Sequence, residues 1–308
     1  MSTFLVTQAT GKQSGATIKH LLEAGAKVHA VVRNPDKVPA ILRSPGVTIF
    51  QAEGDDVEAL YRAARDCKGA YLNTFPIPGF EARQAQAAVD ACKRAGIETI
   101  VVSSSILAGA EGIATDAAAS KSGLAGYYAS KVEVEQIVRG AGLAAYTILR
   151  PGVIHYDYLA ENSGFNYPEL IKTGTLRHTF NDGAGIPHTV ADDIGKYAAA
   201  ALQNPAKFGG EEIELGNENL HPDATSKILS RVSGRDVKAE KRGQAEAEEV
   251  GQWLFGQKFF EWANLKVPEL KTVADGAKDV QVRYGIPFTS MESALSKERE
   301  AVLAGLPA

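Results

Sequence analysis

The sequence predicts an α/β protein built on a doubly wound parallel sheet, with a smaller mixed α/β cap in its C-terminal half. Three observations carry this. Segments of strand period and of helix period alternate through the first half of the chain. The strand segments are near-continuous apolar runs, as in sheets covered on both faces. The connections between them are short, which suits right-handed crossovers.

In order, Thr3-Phe4-Leu5-Val6-Thr7 reads as a buried strand, and the stretch from Ser14 to Ala24 as a helix closed by Gly25. Strands two to five follow from Lys27 to Val32, Val47 to Gln51, Gly69 to Asn73 and Thr99 to Ser103. The clearest intervening helix runs from Phe80 to Ala95, and another, from about Gly126 to Arg139, precedes a sixth strand from Ala145 to Arg150. Beyond Pro151 the alternation breaks down. Aromatic and polar residues mix from His155 to Tyr167, and helices are expected from Ala191 to Leu202 and from Pro222 to Ser233, the latter started by His221-Pro222-Asp223. Glu211 to Leu215 looks like a strand, Trp253 to Trp262 is apolar and aromatic, and Ser290 to Leu303 is amphipathic. The expected division is a dinucleotide-binding core over 1–152 and, over 153–308, mainly a substrate-binding cap with some segments returning to the core.

Composition narrows the function classes. Lys plus Arg number 33 against 37 Asp plus Glu, a net charge of -4 that leaves no basic excess for nucleic acid. With 2 cysteines, Cys67 and Cys92, no disulfide framework is available, and a reducing, cytoplasmic location is the simplest expectation. The start of the chain lacks a basic segment before its short apolar run, and no apolar stretch approaches the ~18–20 residues that span a bilayer. His178 and His188 have no metal-ligand spacing with either cysteine, so no metal is expected.

The first chemical signal lies where strand one turns into helix one, at Thr7-Gln8-Ala9-Thr10-Gly11-Lys12-Gln13-Ser14-Gly15. Small residues there let backbone amides and the positive helix end approach a pyrophosphate. Against G-x-x-G-x-x-G only Gly11 is in register; Gln8 takes the first glycine position and Ser14 the third. Thr10, Gly11, Lys12 and Gln13 are the candidate phosphate contacts. The second signal is the end of strand two, Val32-Arg33-Asn34-Pro35-Asp36-Lys37, where an NAD site offers an acidic residue to the ribose hydroxyls. Arg33 stands there instead, able to fork onto a 2′-phosphate with Lys37 and Lys12 adding charge, so the expected cofactor is NADP(H). Asp36 is read as a helix cap rather than a ribose ligand.

These residues, together with the Tyr127 to Lys131 segment, Tyr146-Thr147-Ile148-Leu149-Arg150-Pro151-Gly152 and Val190-Ala191-Asp192-Asp193-Ile194-Gly195, resemble the NmrA-like group of atypical short-chain dehydrogenases/reductases over about the first 235 residues. The resemblance implies a Rossmann fold binding NADP(H). It implies either a reductase or a cofactor-sensing regulator, since the group holds both. In the reductases it resembles, a tyrosine protonates the substrate oxygen as hydride arrives, and a lysine binds the nicotinamide ribose and lowers the tyrosine pKa. Tyr127 and Lys131, spaced i, i+4 on one helix face, match those roles, with Tyr128 the rival tyrosine. Ser104 is the candidate hydroxyl for orienting the carbonyl, with Ser103 its rival. The resemblance also places Asn73 and Thr74 beside the adenosine and pyrophosphate, and Pro151 and Val153 beside the nicotinamide. It departs after strand three, where the chain reads Gln51-Ala52-Glu53-Gly54-Asp55 and the usual acidic residue is displaced.

Outside this set, His155 is read as a packed loop residue, the Phe255, Phe259, Phe260 and Trp262 cluster as core, and Lys238, Lys241 and Arg242 with their glutamates as a solvated surface. The expected function is an NADPH-dependent reduction of a small apolar or aromatic carbonyl or quinone-type substrate. The alternatives are a non-catalytic NADP(H) sensor acting on a protein partner and, third, a non-redox isomerase or cyclase on the same scaffold. No nucleic acid or membrane partner is expected, and a homo-oligomer is left open.

Overall fold

The computed structural model describes residues 2–307. The chain divides into two compact units: one runs to Glu111 and adds Gly126–Arg150 and Ala191–Glu214, and the other comprises Gly112–Ala125, Pro151–Val190 and the chain from Leu215 on. In chain order the strands are Thr3–Val6 (β1), Lys27–Val32 (β2), Val47–Gln51 (β3), Gly69–Leu72 (β4), Thr99–Ser103 (β5), Ala145–Arg150 (β6), Val153–Ile154 (β7), Thr175–His178 (β8), Ile186–Thr189 (β9), Glu211–Glu214 (β10), Asn219–Leu220 (β11) and Lys238–Lys241 (β12). The first seven helices are Lys12–Glu23 (α1), Val57–Ala64 (α2), Phe80–Ala95 (α3), Ala117–Ser122 (α4), Ala125–Arg139 (α5), Pro168–Thr173 (α6) and Ala191–Gln203 (α7).

The first unit is a 7-stranded sheet in the order β10-β6-β5-β4-β1-β2-β3, parallel throughout. This is the doubly wound, Rossmann-type sheet the sequence predicts. Its inner strands are buried on both faces, which is why Val28, Ala30 to Val32, Ile100 to Val102 and Ile148 to Leu149 read as continuous apolar runs. One face is covered by α2, α3 and α5, whose Leu60, Ala88, Cys92, Val134 and Val138 pack with Leu5, Leu72, Ile100 and Ile148 in one apolar cluster. On α1, Ala16 lies against α7: a Cβ on Gly195 would sit 2.5 Å from the Ala16 carbonyl carbon, so only glycine allows this approach. The strand order reverses at β1, between β2 and β4, and in such sheets ligands bind off the carboxyl ends of the strands at that point.

Helix α1 starts at Lys12, not Ser14, because Gly11 is its N-cap. Asp36 is not a helix cap: it is exposed in a turn where its amide donates to Asn34 Oδ1 at 2.9 Å, and the following 3-10 turn, Ala40–Arg43, is entered from Pro39.

The second unit holds a 3-stranded sheet in the order β11-β9-β7 and a 2-stranded pair of β12 with β8. Pro222–Ser233 is a helix as expected, with the His221 ring accepting from the Asp223 amide at 3.2 Å. The aromatic segment forms Phe255–Leu265, and the amphipathic tail splits into Met291–Lys297 and Arg299–Ala304. Phe260 and Trp262 are buried, whereas Phe255 is 46% exposed, so the aromatic cluster is only partly core. Arg242 corrects the solvated-surface reading: its guanidinium is buried and its Nη2 donates to both Glu169 oxygens at 3.0 and 2.9 Å. His155 is packed as read, 2% exposed, with Nε2 3.5 Å from Glu298 Oε1. No described helix is long and apolar enough to cross a membrane.

Candidate functional site

The carboxyl ends of β1 and β4 are joined by one side chain. Thr7 Oγ1 donates to the Asn73 carbonyl at 3.0 Å and accepts the Asn73 amide at 2.9 Å, holding the loop after β1 against the loop after β4. The chain then turns through Gln8, whose φ of 47° is left-handed. A glycine would take that conformation without strain; a residue with a Cβ does so at a cost of ~1–2 kcal/mol. Gly11 closes the turn by donating to the Gln8 carbonyl at 2.8 Å. Helix α1 then begins with no side-chain cap and no acidic residue in its first turn. Its positive pole thus meets no acidic side chain of its own first turn, an arrangement suited to an anion.

Beside this helix end lies a cavity of about 410 Å³, lined by Gln8, Thr10, Arg33, Asn34, Lys37 and Asn73 among others. Its volume is in the range of small-molecule sites. Thr10, Arg33, Lys37 and Asn73 are thus brought together as the sequence predicts. The displaced acidic segment also lines it, through Ala52, Glu53 and Gly54. Arg33 and Lys37 are its cationic lining residues and Glu53 its acidic one, a balance that suits an anionic ligand. Gly11, Lys12 and Gln13 lie at the start of α1 outside this lining, and the Gln13 side chain accepts the Ser103 hydroxyl at 2.6 Å. Pro151 and Val153 belong to the second unit, where β7 pairs with β9.

The second part of the site is built on α5. This helix runs from the loop after β5 back to β6, so in a parallel sheet its N-terminal turns stand at the carboxyl edge, level with Ser103 and Ser104. Tyr127 is half-buried there, whereas Tyr128 is fully buried and its hydroxyl donates to the Ile106 carbonyl at 3.3 Å. That contrast separates the two tyrosines: Tyr127 is the one with an exposed face. Lys131 is buried, and its Nζ lies 5.5 Å from the Tyr127 ring centroid. Burial works against its charge, but the Tyr127 oxygen and the Glu81 carboxylate more than offset this and hold the ammonium above its usual range. Ser103 Oγ is committed to Gln13, while Ser104 Oγ is buried without a hydrogen-bond partner among the described residues. Ser104 therefore differs from Ser103 in having an uncommitted hydroxyl, although it is not among the residues lining the cavity.

Three residues of this region escaped the sequence reading. Thr7 is read from sequence as the end of strand one and the start of the phosphate turn, without its link to Asn73. Gln84 lines the cavity and accepts the Phe75 amide at 2.8 Å. Glu81 is fully buried and accepts from Thr74 Oγ1 at 2.6 Å, Ser130 Oγ at 2.7 Å and Lys131 Nζ at 2.7 Å. A signal existed: Glu81 and Gln84 fall on the inward stripe of α3 that continues through Ala85, Ala88 and Cys92. A polar residue on an apolar stripe must find partners.

Residues 1–250 match the NmrA-like family. The chain belongs to that family. Among its relatives, quinone oxidoreductase 2 of Escherichia coli is 28% identical over 246 residues, covering 78% of each chain. The solved structure of the Escherichia coli NADPH-dependent quinone oxidoreductase in complex with NADPH superposes with a TM-score of 0.69 at 22% identity, covering 96% of this chain and 98% of that one. NmrA, a negative transcriptional regulator solved in complex with NAD, gives a TM-score of 0.73 at 22% identity, covering 99% of this chain and 98% of that one. At such identity the two superpositions establish the shared fold.

Proposed function

We propose that this NmrA-like protein is an NADPH-dependent reductase of a small apolar or aromatic carbonyl or quinone-type substrate. The observation that carries the proposal is the pairing of a half-exposed Tyr127 with a charged, buried Lys131 on the same sheet edge as the Arg33-lined cavity. NADP(H) fits the residues present. The uncapped, acid-free start of α1 suits a pyrophosphate, and Arg33 with Lys37 suits a 2′-phosphate. Of the similar proteins, the quinone oxidoreductase supports the reductase class, and NmrA, a regulator solved with NAD, supports dinucleotide binding alone.

Bound NADPH supplies a hydride; the protein's own residues do the rest. Lys131 would hold the nicotinamide ribose, and Tyr127, with its ring centroid 5.5 Å from the ammonium, would donate the proton to the product oxygen. Ser104 donates to the same oxygen before transfer and keeps it oriented toward Tyr127.

The test is NADPH consumption against a panel of quinones and aromatic carbonyls, with Tyr127→Phe alongside. The wild type turns over and Tyr127→Phe loses about 10²–10⁴-fold in kcat with NADPH affinity within about twofold. A wild type that binds NADPH and NADP+ with unequal affinity yet consumes no NADPH would instead be the cofactor sensor.

A further inference from the structure

The Glu81 carboxylate is buried and holds Lys131, one of the two residues proposed to do chemistry. Its side chain is 0% exposed and that of Lys131 is 7% exposed. Its Oε1 accepts from both Thr74 Oγ1, at 2.6 Å, and Lys131 Nζ, at 2.7 Å, while Oε2 accepts from Ser130 Oγ at 2.7 Å. Three elements therefore converge on one carboxylate: α3 supplies it, the loop after β4 supplies Thr74, and α5 supplies Ser130 and Lys131. Both oxygens are occupied, so the carboxylate has one orientation.

A buried ion pair is a poor way to stabilise a core, since well-packed apolar side chains of similar volume generally do as well or better. What such a pair does supply is position and charge. An ammonium has three N–H donors, and Glu81 takes one of them in a fixed direction, which sets where the other two point. The same carboxylate partly cancels the positive charge that Tyr127 experiences. The groups facing Lys131 are Glu81 from α3 and Tyr127 and Glu135 from its own helix.

We propose that Glu81 is a positioning residue for the reductase reaction: it aims the Lys131 ammonium at the cofactor ribose and sets the charge that Lys131 presents to Tyr127. This rests on the assignment of Tyr127 and Lys131 made above. In the Glu81→Gln variant the shape is kept and the charge is lost. Lys131 then loses its anchor, and its charge is cancelled less, with Glu135 the remaining carboxylate facing it.

The experiment is a double-mutant cycle in NADPH affinity on the full chain, using wild type, Glu81→Gln, Lys131→Met and the double variant, with kcat–pH profiles for those that turn over. Glu81→Gln is expected to weaken NADPH roughly tenfold, and to do so by less than about twofold when Lys131 is already Met. The alkaline limb of kcat is expected to move to lower pH in Glu81→Gln, because a buried negative charge is gone, and to return in Glu81→Asp, which keeps that charge. Equal effects in both Lys131 backgrounds, or an alkaline limb that stays or rises, would overturn the proposal and leave Glu81 as packing alone. If Glu81→Gln does not fold, Ser130→Ala removes one donor from the same carboxylate and reads the same coupling on a smaller scale. A wild type that binds NADPH without turnover would refute the reductase reading, while the affinity cycle would still decide the role of Glu81.

Discussion

At the scale of single residues, the site divides into what a linear motif exposes and what only packing exposes. Arg33 and Asn73 were legible as candidates because each directly follows a strand, and Gly11 and Lys37 because they lie in the segments after β1 and β2, at the sheet edge where topology places ligands. Thr7, Glu81 and Gln84 were not, because their roles depend on which side chains meet across 66, 50 and 9 positions of sequence. Tyr127 and Tyr128 were inseparable for a related reason, since a helix start displaced by one residue exchanges their faces. Arg33 carries the sharpest residue-scale prediction. If its guanidinium binds a 2′-phosphate, Arg33→Ser removes charge-assisted hydrogen bonds worth ~1.5–3 kcal/mol, about 10–100-fold in Kd. Titration of both cofactors should show NADPH weakened by that factor and NADH changed less than about twofold; equal losses for the two would place Arg33 elsewhere.

At the scale of elements, strands β2, β3, β5 and β6 and helix α3 have the bounds read from sequence, because near-continuous apolar runs and an amphipathic helix each leave a clear signal, even at β3, the partly buried edge strand. The short pieces after Pro151 escaped: β7 and β11 are 2 residues each, and α6 is 6, too short for any period to register. The pairing of α1 with α7 was also invisible, although its cause is a single residue. Alanine in place of a mid-helix glycine ordinarily stabilises by roughly 0.5–1 kcal/mol. At Gly195 the added methyl would lie 2.6 Å from the Ala16 carbonyl oxygen, a backbone atom that cannot rotate away. Gly195→Ala should therefore destabilise by ~1–3 kcal/mol, whereas Gly15→Ala on α1, with nothing within 4 Å of its Cβ, should be neutral or mildly stabilising. Urea midpoints of the two variants decide this, and a stabilised Gly195→Ala would mean the helices separate without penalty.

At the scale of the whole molecule, the two units are expected to respond to pH in opposite senses. In the second unit His178 and His188 are both pushed down to about 4, chiefly by burial, with His221 beside the first adding to it. His188 Nδ1 faces the Ile186 carbonyl at 2.8 Å and Nε2 faces the Tyr158 hydroxyl at 2.7 Å; burial keeps the ring neutral, outweighing the carbonyl, which favours a proton. A base with a depressed value binds protons in the unfolded chain first, so its contribution is complete above ~6.5 and is lost as pH falls toward 4. Asp157, pushed up to about 7 by burial, opposes this, but as one group against two. In the first unit Glu214 is pushed up to about 7 by burial, against the attraction of Arg150. An acid with a raised value contributes fully below ~4.5 and loses that contribution as pH rises through 7. The carboxylates held low in that unit, Asp192 beside Lys19 and His20 and Glu212 beside Arg139, keep their full contribution above about pH 5. Between about pH 7 and 5, acidification should then weaken the second unit and leave the first unchanged or firmer. The chain carries its own reporters: its 2 tryptophans, Trp253 and Trp262, lie in the second unit, and its 2 cysteines, Cys67 and Cys92, are buried in the first. Lowering the pH from 7 to 5 should reduce the urea midpoint read by tryptophan fluorescence while the midpoint read by thiol labelling holds or rises. Midpoints that fall together by the same amount would show that the buried histidines do not set the acid response of the second unit separately from the first.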